Sequence, residues 1–242
     1  MAGSRPPSPP APPLGEIMRA LEALATPRDL ANLPRFGITA SNPLGVSMAN
    51  VHKVARQVGR DHATAVALWE TGVYEARLLA AQVDDPARVT VSQMNRWCRD
   101  FDNWGVCDTL CFTLFDRTPH AWGRVDRWAG ARQEFVRRAA FALLASLALH
   151  DKAAPDAPFL DRLPLIVAAA DDDRPLVRKG VSWALRAIGR RNARLHAAAL
   201  AVARRLAADA DAGSRWVGKD AARELTGPIV ARLLQRRATK KR

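Results

Sequence analysis

Carboxylates are scarce beside cations in this chain, 24 against 37, tyrosine occurs once and cysteine three times. An odd cysteine count, with no secretory leader expected at the start, argues against a disulfide framework and fits a reducing cytoplasm. Cys98, Cys107 and Cys111 lack the paired CxxC spacing of a zinc site. Cys107 and Cys111 share a helix face and His120 could join them, but buried free cysteines are common and no metal is expected. No apolar run is long enough to cross a bilayer. Residues with strong strand preference are few, and no stretch alternates convincingly, so a sheet is not expected.

Alanine, leucine and arginine dominate, and 48% of the residues are hydrophobic, enough for a substantial core. The formal net charge of +13 makes a polyanion, most simply nucleic acid, the default partner. The plainer alternative is a soluble protein from an arginine-rich, GC-rich genome. Residues 1–14 are expected to be a disordered proline-rich tail, 15–234 the folded domain and 235–242 a basic tail that frays. Predicted helices run over 44–57, 61–70, 74–82, 91–100, 105–115, 121–128, 133–149, 160–170, 175–189, 193–208 and 215–225, with Asp61 as an N-cap. The fold class is all-α.

The later helices repeat. Aligning Val136-Arg137-Arg138-Ala139-Ala140 with Val177-Arg178-Lys179-Gly180-Val181 and Val217-Gly218-Lys219-Asp220-Ala221 gives spacings of 41 and 40 residues. A period of about 40 residues in helix pairs is the signature of HEAT-like solenoids. Extending the register upstream pairs Asp108 with Arg138, Lys179 and Lys219, so these four should form a row along one face. On a concave side that row makes a basic groove containing one carboxylate. The alternative is that these are solvated helix positions.

The segment Asp100-Phe101-Asp102-Asn103-Trp104-Gly105-Val106-Cys107-Asp108 is the most unusual in the chain. Trp104 and Asp108 are four residues apart, hence one turn apart on one helix face. A carboxylate beside an indole in a positive field suits a cationic or cation-forming substrate. Trp104 as ordinary core, with Asp108 capping or paired to an arginine, is the bland alternative.

Asn103-Trp104-Gly105-Val106-Cys107-Asp108, then Phe135-Val136-Arg137-Arg138-Ala139-Ala140 and Lys179-Gly180-Val181-Ser182-Trp183-Ala184-Leu185-Arg186, resemble the AlkD family of DNA alkylation-repair glycosylases. The resemblance runs from about Phe36 to Leu225 and includes Leu68-Trp69-Glu70 and Tyr74-Glu75-Ala76-Arg77. It implies an aromatic wall at Trp104, a catalytic carboxylate at Asp108, an arginine at Arg138 and a second tryptophan at Trp183. Arg137 is adjacent, and only the match to Arg-Ala-Ala favours Arg138. The chain departs from the family in having no tyrosine before Tyr74 to supply the phenol of its N-terminal helices.

The implied reaction is excision of N3- or N7-alkylated purines from duplex DNA by a monofunctional glycosylase, without a cofactor. The alkylated base is already cationic and leaves readily. Asp108 would stabilise the sugar cation and position water, the two tryptophans would shield it, and Arg138 would hold a phosphate. Arg137, Arg138, Arg178, Lys179 and Lys219 would contact DNA. The implied protein is a bacterial, cytoplasmic monomer, nucleoid-associated when bound. The alternatives are a non-catalytic module for distorted or branched DNA, since some family members keep the fold without excising a base, and a protein-binding scaffold.

Overall fold

The computed structural model describes residues 11–239, and these contain helices and no strand. The chain divides into two compact units, Met1–Trp97 and Cys98–Arg242. The first holds α1 (Leu14–Glu22), α2 (Pro27–Asn32), α3 (Met48–Val58), α4 (His62–Glu70), α5 (Tyr74–Val83) and most of α6 (Val91–Arg99). The second holds α7 (Trp104–Thr113), α8 (Ala121–Trp128), α9 (Glu134–His150), α10 (Ala157–Leu160), α11 (Leu163–Ala168), α12 (Pro175–Gly189), α13 (Ala193–Ala207), α14 (Ala212–Leu225) and α15 (Pro228–Thr239).

In the first unit the residues around Trp69 and Glu75 are core. Trp69 stacks on Trp97 with ring centroids 4.3 Å apart and planes 8° from parallel. The Glu75 carboxylate is fully buried and accepts the backbone N–H groups of Leu44, Gly45 and Val46 at 2.8, 2.8 and 3.0 Å. That collar ties the loop before α3 to the first turn of α5, and gives a buried charge the donors it needs. Asp61 caps α4 as expected, its side chain accepting the Thr64 N–H at 2.6 Å.

The second unit is a stack of neighbours: α7 packs on α9, α9 on α12, and α12 on α14, with α8 against α9 and α13 against α12 and α14. The helices carrying Asp108, Arg138, Lys179 and Lys219 are thus consecutive neighbours. Cross-links keep the register. Ser182 donates to Asp220 at 2.7 Å and Arg186 to Glu224 at 2.6 Å, both between α12 and α14. The Cys111 thiol lies 3.5 Å from the Ala139 carbonyl, where α7 meets α9.

Several boundaries differ from those expected. The single helix expected over 160–170 is two short ones, α10 and α11, each with proline in its first turn. Two further helices, α1 and α2, precede the expected ones. The proline-rich stretch expected over 1–14 falls mostly outside the described residues, and α1 begins at Leu14, buried through Ile17 and Leu21. At the other end α15 continues through Thr239, into the stretch expected to fray. It is pinned by buried Val230 and by Arg237, which donates to the Arg190 and Arg191 carbonyls at 2.5 and 2.6 Å.

Two glycines distinguish the contacts. A Cβ on Gly218 would lie 2.2 Å from the Ala207 backbone nitrogen, so α14 meets α13 too closely for any side chain. A Cβ on Gly180 would reach Arg138 and Phe141 only at 3.6 Å, an ordinary contact. Gly218→Ala should therefore cost about 2 kcal/mol or more through overpacking. Gly180→Ala should be neutral or stabilising by up to about 1 kcal/mol, because alanine is the better helix former. Thermal unfolding of the two variants checks the contrast.

Candidate active site

Asn103 begins the site. Its side chain accepts the Val106 N–H at 3.0 Å, which starts α7 at Trp104 and fixes the helix register. Trp104, Asp108 and Phe112 follow at four-residue spacing and share one face of α7.

Arg138 meets them from α9. Its Nε donates to Asp108 Oδ1 at 2.9 Å and its Nη2 to Oδ2 at 2.6 Å, the planar fork matching the carboxylate. Its Nη1 donates to the Leu176 carbonyl in the first turn of α12 at 2.6 Å. The Arg138 side chain is 7% exposed and that of Asp108 15%. The sequence reading sends Arg138 to a phosphate; in this structure three of its five N–H donors go to Asp108 and the Leu176 carbonyl.

Burial pushes the Asp108 carboxyl above the usual carboxylate range, against the opposing pull of the Arg138 charge and hydrogen bonds. Burial also works to lower Arg138, but the Asp108 charge and hydrogen bonds outweigh it and hold the guanidinium above its ordinary value. Nearby, burial pushes the Cys98 and Cys111 thiols well up, so these are inert packing groups.

Trp183 reaches the same strip. It stacks on Phe112 with centroids 4.6 Å apart and planes 6° from parallel. Trp104 therefore stands one turn of α7 before Asp108, and the Phe112–Trp183 stack one turn after it. Both tryptophans are half-buried.

Sequence reasoning missed Phe112 and His150. His150 sits edge-on to Phe112 at 5.5 Å, and its Nδ1 lies 2.6 Å from Asp116 Oδ2. The same carboxylate oxygen accepts the Ser146 hydroxyl at 2.6 Å. Asp116 and Ser146 are separated by the same 30 residues as Asp108 and Arg138, so α9 is linked both to α7 and to the 3-10 turn at 115–117 that follows it. Extending the four-residue spacing from Asp108 is the signal that would have found Phe112.

The cations called DNA-binding divide into two groups. Arg137 points away from Asp108: it donates to Asp172 at 2.8 Å and to the Ala168 carbonyl at 3.3 Å. Arg174 binds the same carboxylate through Nε and Nη2 at 2.8 and 2.6 Å. Of the adjacent arginines, Arg138 is thus the one at Asp108. Arg178 is half-buried, and Lys179 and Lys219 are exposed. The expected row has its lysines at the surface and its arginine turned inward.

The family described as DNA alkylation repair enzyme matches residues 17–225. A solved structure from "a new family of proteins related to the HEAT-like repeat DNA glycosylases with affinity for branched DNA structures" superposes with a TM-score of 0.72. It is 19% identical, and the match covers 86% of this chain and 93% of that one. A designed armadillo repeat protein in complex with a (KR)4 peptide gives a TM-score of 0.32 at 14% identity, over 94% and 81% of the two chains. No curated protein matches the chain. No described helix is long and apolar enough to cross a membrane.

Arg138→Leu strands a buried carboxylate and should destabilise the protein by about 3–5 kcal/mol at neutral pH. The Asp108 pKa in that folded variant is raised further above its unfolded value. Such a group favours the folded state at low pH, and that contribution is lost as pH rises through the folded pKa. The deficit relative to wild type should therefore shrink as pH falls. Urea unfolding of both proteins across a pH series measures it, and a deficit constant with pH would show that charge is not what the variant loses.

Proposed function

Because the chain belongs to the DNA alkylation repair enzyme family, we propose that it excises cationic N3- or N7-alkylated purines from duplex DNA by hydrolysing the N-glycosidic bond. The observation that carries this reading is the half-buried Asp108 carboxylate, held by Arg138 on a strip walled by Trp104 and by Trp183 on Phe112.

Alkylation makes the base a good leaving group, so little general-acid assistance is needed. As the bond breaks, the electron pair leaves with the base and positive charge develops on the deoxyribose. A preorganised carboxylate stabilises that charge and orients the attacking water, whose proton passes to solvent or to Asp108. Burial alone would favour the protonated acid, which could do neither. Arg138 opposes this, and so acts as a positioning residue that keeps Asp108 ionised. A carboxylate has about four acceptor sites, and Arg138 occupies two of them. The tryptophans bring π-faces to the cationic centre and exclude water, which strengthens the carboxylate's field. Lys179, Lys219 and Arg178 meet the phosphates. Duplex DNA is the partner this reading requires, and the hydrolysis as written draws on no cofactor.

A second reading has a specific observation behind it. The bidentate pair leaves Asp108 and Arg138 neutral together, and the solved relative is described by its affinity for branched DNA. A non-catalytic DNA-binding module would carry the same pair as a structural clasp.

Asp108→Asn separates them. The glycosylase reading expects wild type to release 3-methyladenine or 7-methylguanine from methylated duplex DNA and leave an unbroken abasic site. The variant should be slower by about 10²–10³, with DNA affinity unchanged or tighter. Equal rates in the two proteins rule out the carboxylate mechanism, and binding with no release by either favours the module. Separately, DNA binding should weaken with salt, and Lys179→Ala and Lys219→Ala should each flatten the slope of log affinity against log salt by about 0.9. Affinity titrations at several salt concentrations measure this.

A further inference from the structure

A cavity of about 320 Å³ opens between the N-terminal halves of α12 and α14, lined by Pro175, Arg178, Lys179, Ala212 and Trp216. We propose that it binds an unpaired nucleobase together with its adjoining phosphate, the base stacking on Trp216 and the phosphate meeting Arg178 and Lys179. This rests on the DNA-binding half of the proposed function and is independent of excision.

Trp216 is 43% exposed, whereas Trp69 and Trp97 are core and Trp183 is stacked on Phe112. An indole this exposed at a cavity wall leaves a ring face free to stack on a planar ligand. The helix geometry aims it. Ala212, Trp216 and Lys219 are spaced i, i+4, i+7 on α14, and Pro175, Arg178 and Lys179 fill the first turns of α12. Both helices therefore bring their positive ends to the cavity, since each lines it with the residue at its first position.

The cations are uncommitted. Arg137, Arg174 and Arg186 on the neighbouring surface each have a carboxylate partner at 2.6–2.8 Å. Among the described residues no ion pair engages Arg178 or Lys179. Asp211 caps α14 by accepting the Ser214 N–H at 2.7 Å and lies outside the cavity lining. Cations alone would suit any phosphate. An exposed indole beside them adds preference for a planar ring, and a base within an intact duplex has both faces covered by its neighbours. A bulged, frayed or single-stranded nucleotide offers a free face and a phosphate at once.

The test compares binding of a fully paired duplex and the same duplex carrying a three-nucleotide bulge, by fluorescence anisotropy. Wild type should prefer the bulged DNA. Trp216→Ala should weaken bulged binding by about 5- to 150-fold and leave paired binding unchanged, with Trp216→Phe recovering part of the loss. Circular dichroism of the variant should match wild type, because the indole is at the surface. Wild type binding both DNAs equally, or Trp216→Ala weakening both equally or neither, overturns this inference and leaves the DNA-binding reading standing. Wild type binding neither DNA overturns both. Oligo-dT should displace bulged DNA far better than poly-glutamate of equal charge; equal displacement would overturn the proposal in favour of an acidic polypeptide.

Discussion

The bidentate bond between Arg138 and Asp108 is the constraint around which the second unit is arranged. One guanidinium spans three helices, with two donors on α7 and a third on the first turn of α12. A carboxylate at this depth is costly, and the ion pair compensates only while the geometry is kept. The packing of α9 on both neighbours and the ionisation state of Asp108 therefore depend on the same side chain. The Phe112–Trp183 stack is fixed by the same contacts, because Phe112 follows Asp108 by one turn.

Much of this was readable in the sequence, and the part that was not has a common cause. The Pro175–Gly189 helix has the observed bounds because proline at its start and polar residues after glycine punctuate it clearly. The four-residue step from Trp104 to Asp108 puts both on one face whatever the tertiary structure does. The 160–170 stretch misled because Pro158 and Pro164 each open a helix of their own, which an apolar pattern does not reveal. Repeat spacing placed Arg138 opposite Asp108 but said nothing of its rotamer. An arginine can reach outward to a phosphate or sideways to a carboxylate from the same backbone position, and burial between α7 and α12 decides for the carboxylate. The link of His150 to Phe112 needed the α7–α9 register, which sequence spacing alone left loose.

The charge balance reads differently once pairing is known. The net charge of +13 counts every cation equally, yet Arg137, Arg138, Arg162, Arg174, Arg186 and Arg190 all face carboxylates. Their fields largely cancel within a few ångströms. What a polyanion meets at short range is the remainder, and on α12 and α14 that remainder includes Arg178, Lys179 and Lys219. On the proposed reading, position more than total charge would draw a phosphate backbone to this surface.

If Asp108 acts as proposed, its pairing also resolves a conflict built into any such site. A bare carboxylate would repel the phosphates that must approach it, whereas a protonated one could not stabilise a sugar cation. The clasped pair carries little net charge as DNA arrives, so the long-range penalty is small. At short range the carboxylate oxygens still present electron density, because Arg138 takes only two of their acceptor sites. A reacting sugar in contact with those oxygens would feel them more than a more distant guanidinium, because the opposing interaction falls with separation. The cost is a weaker field than a lone carboxylate would give. On the proposed reading, an already cationic base, whose departure needs less help, would be the substrate for which that compromise suffices.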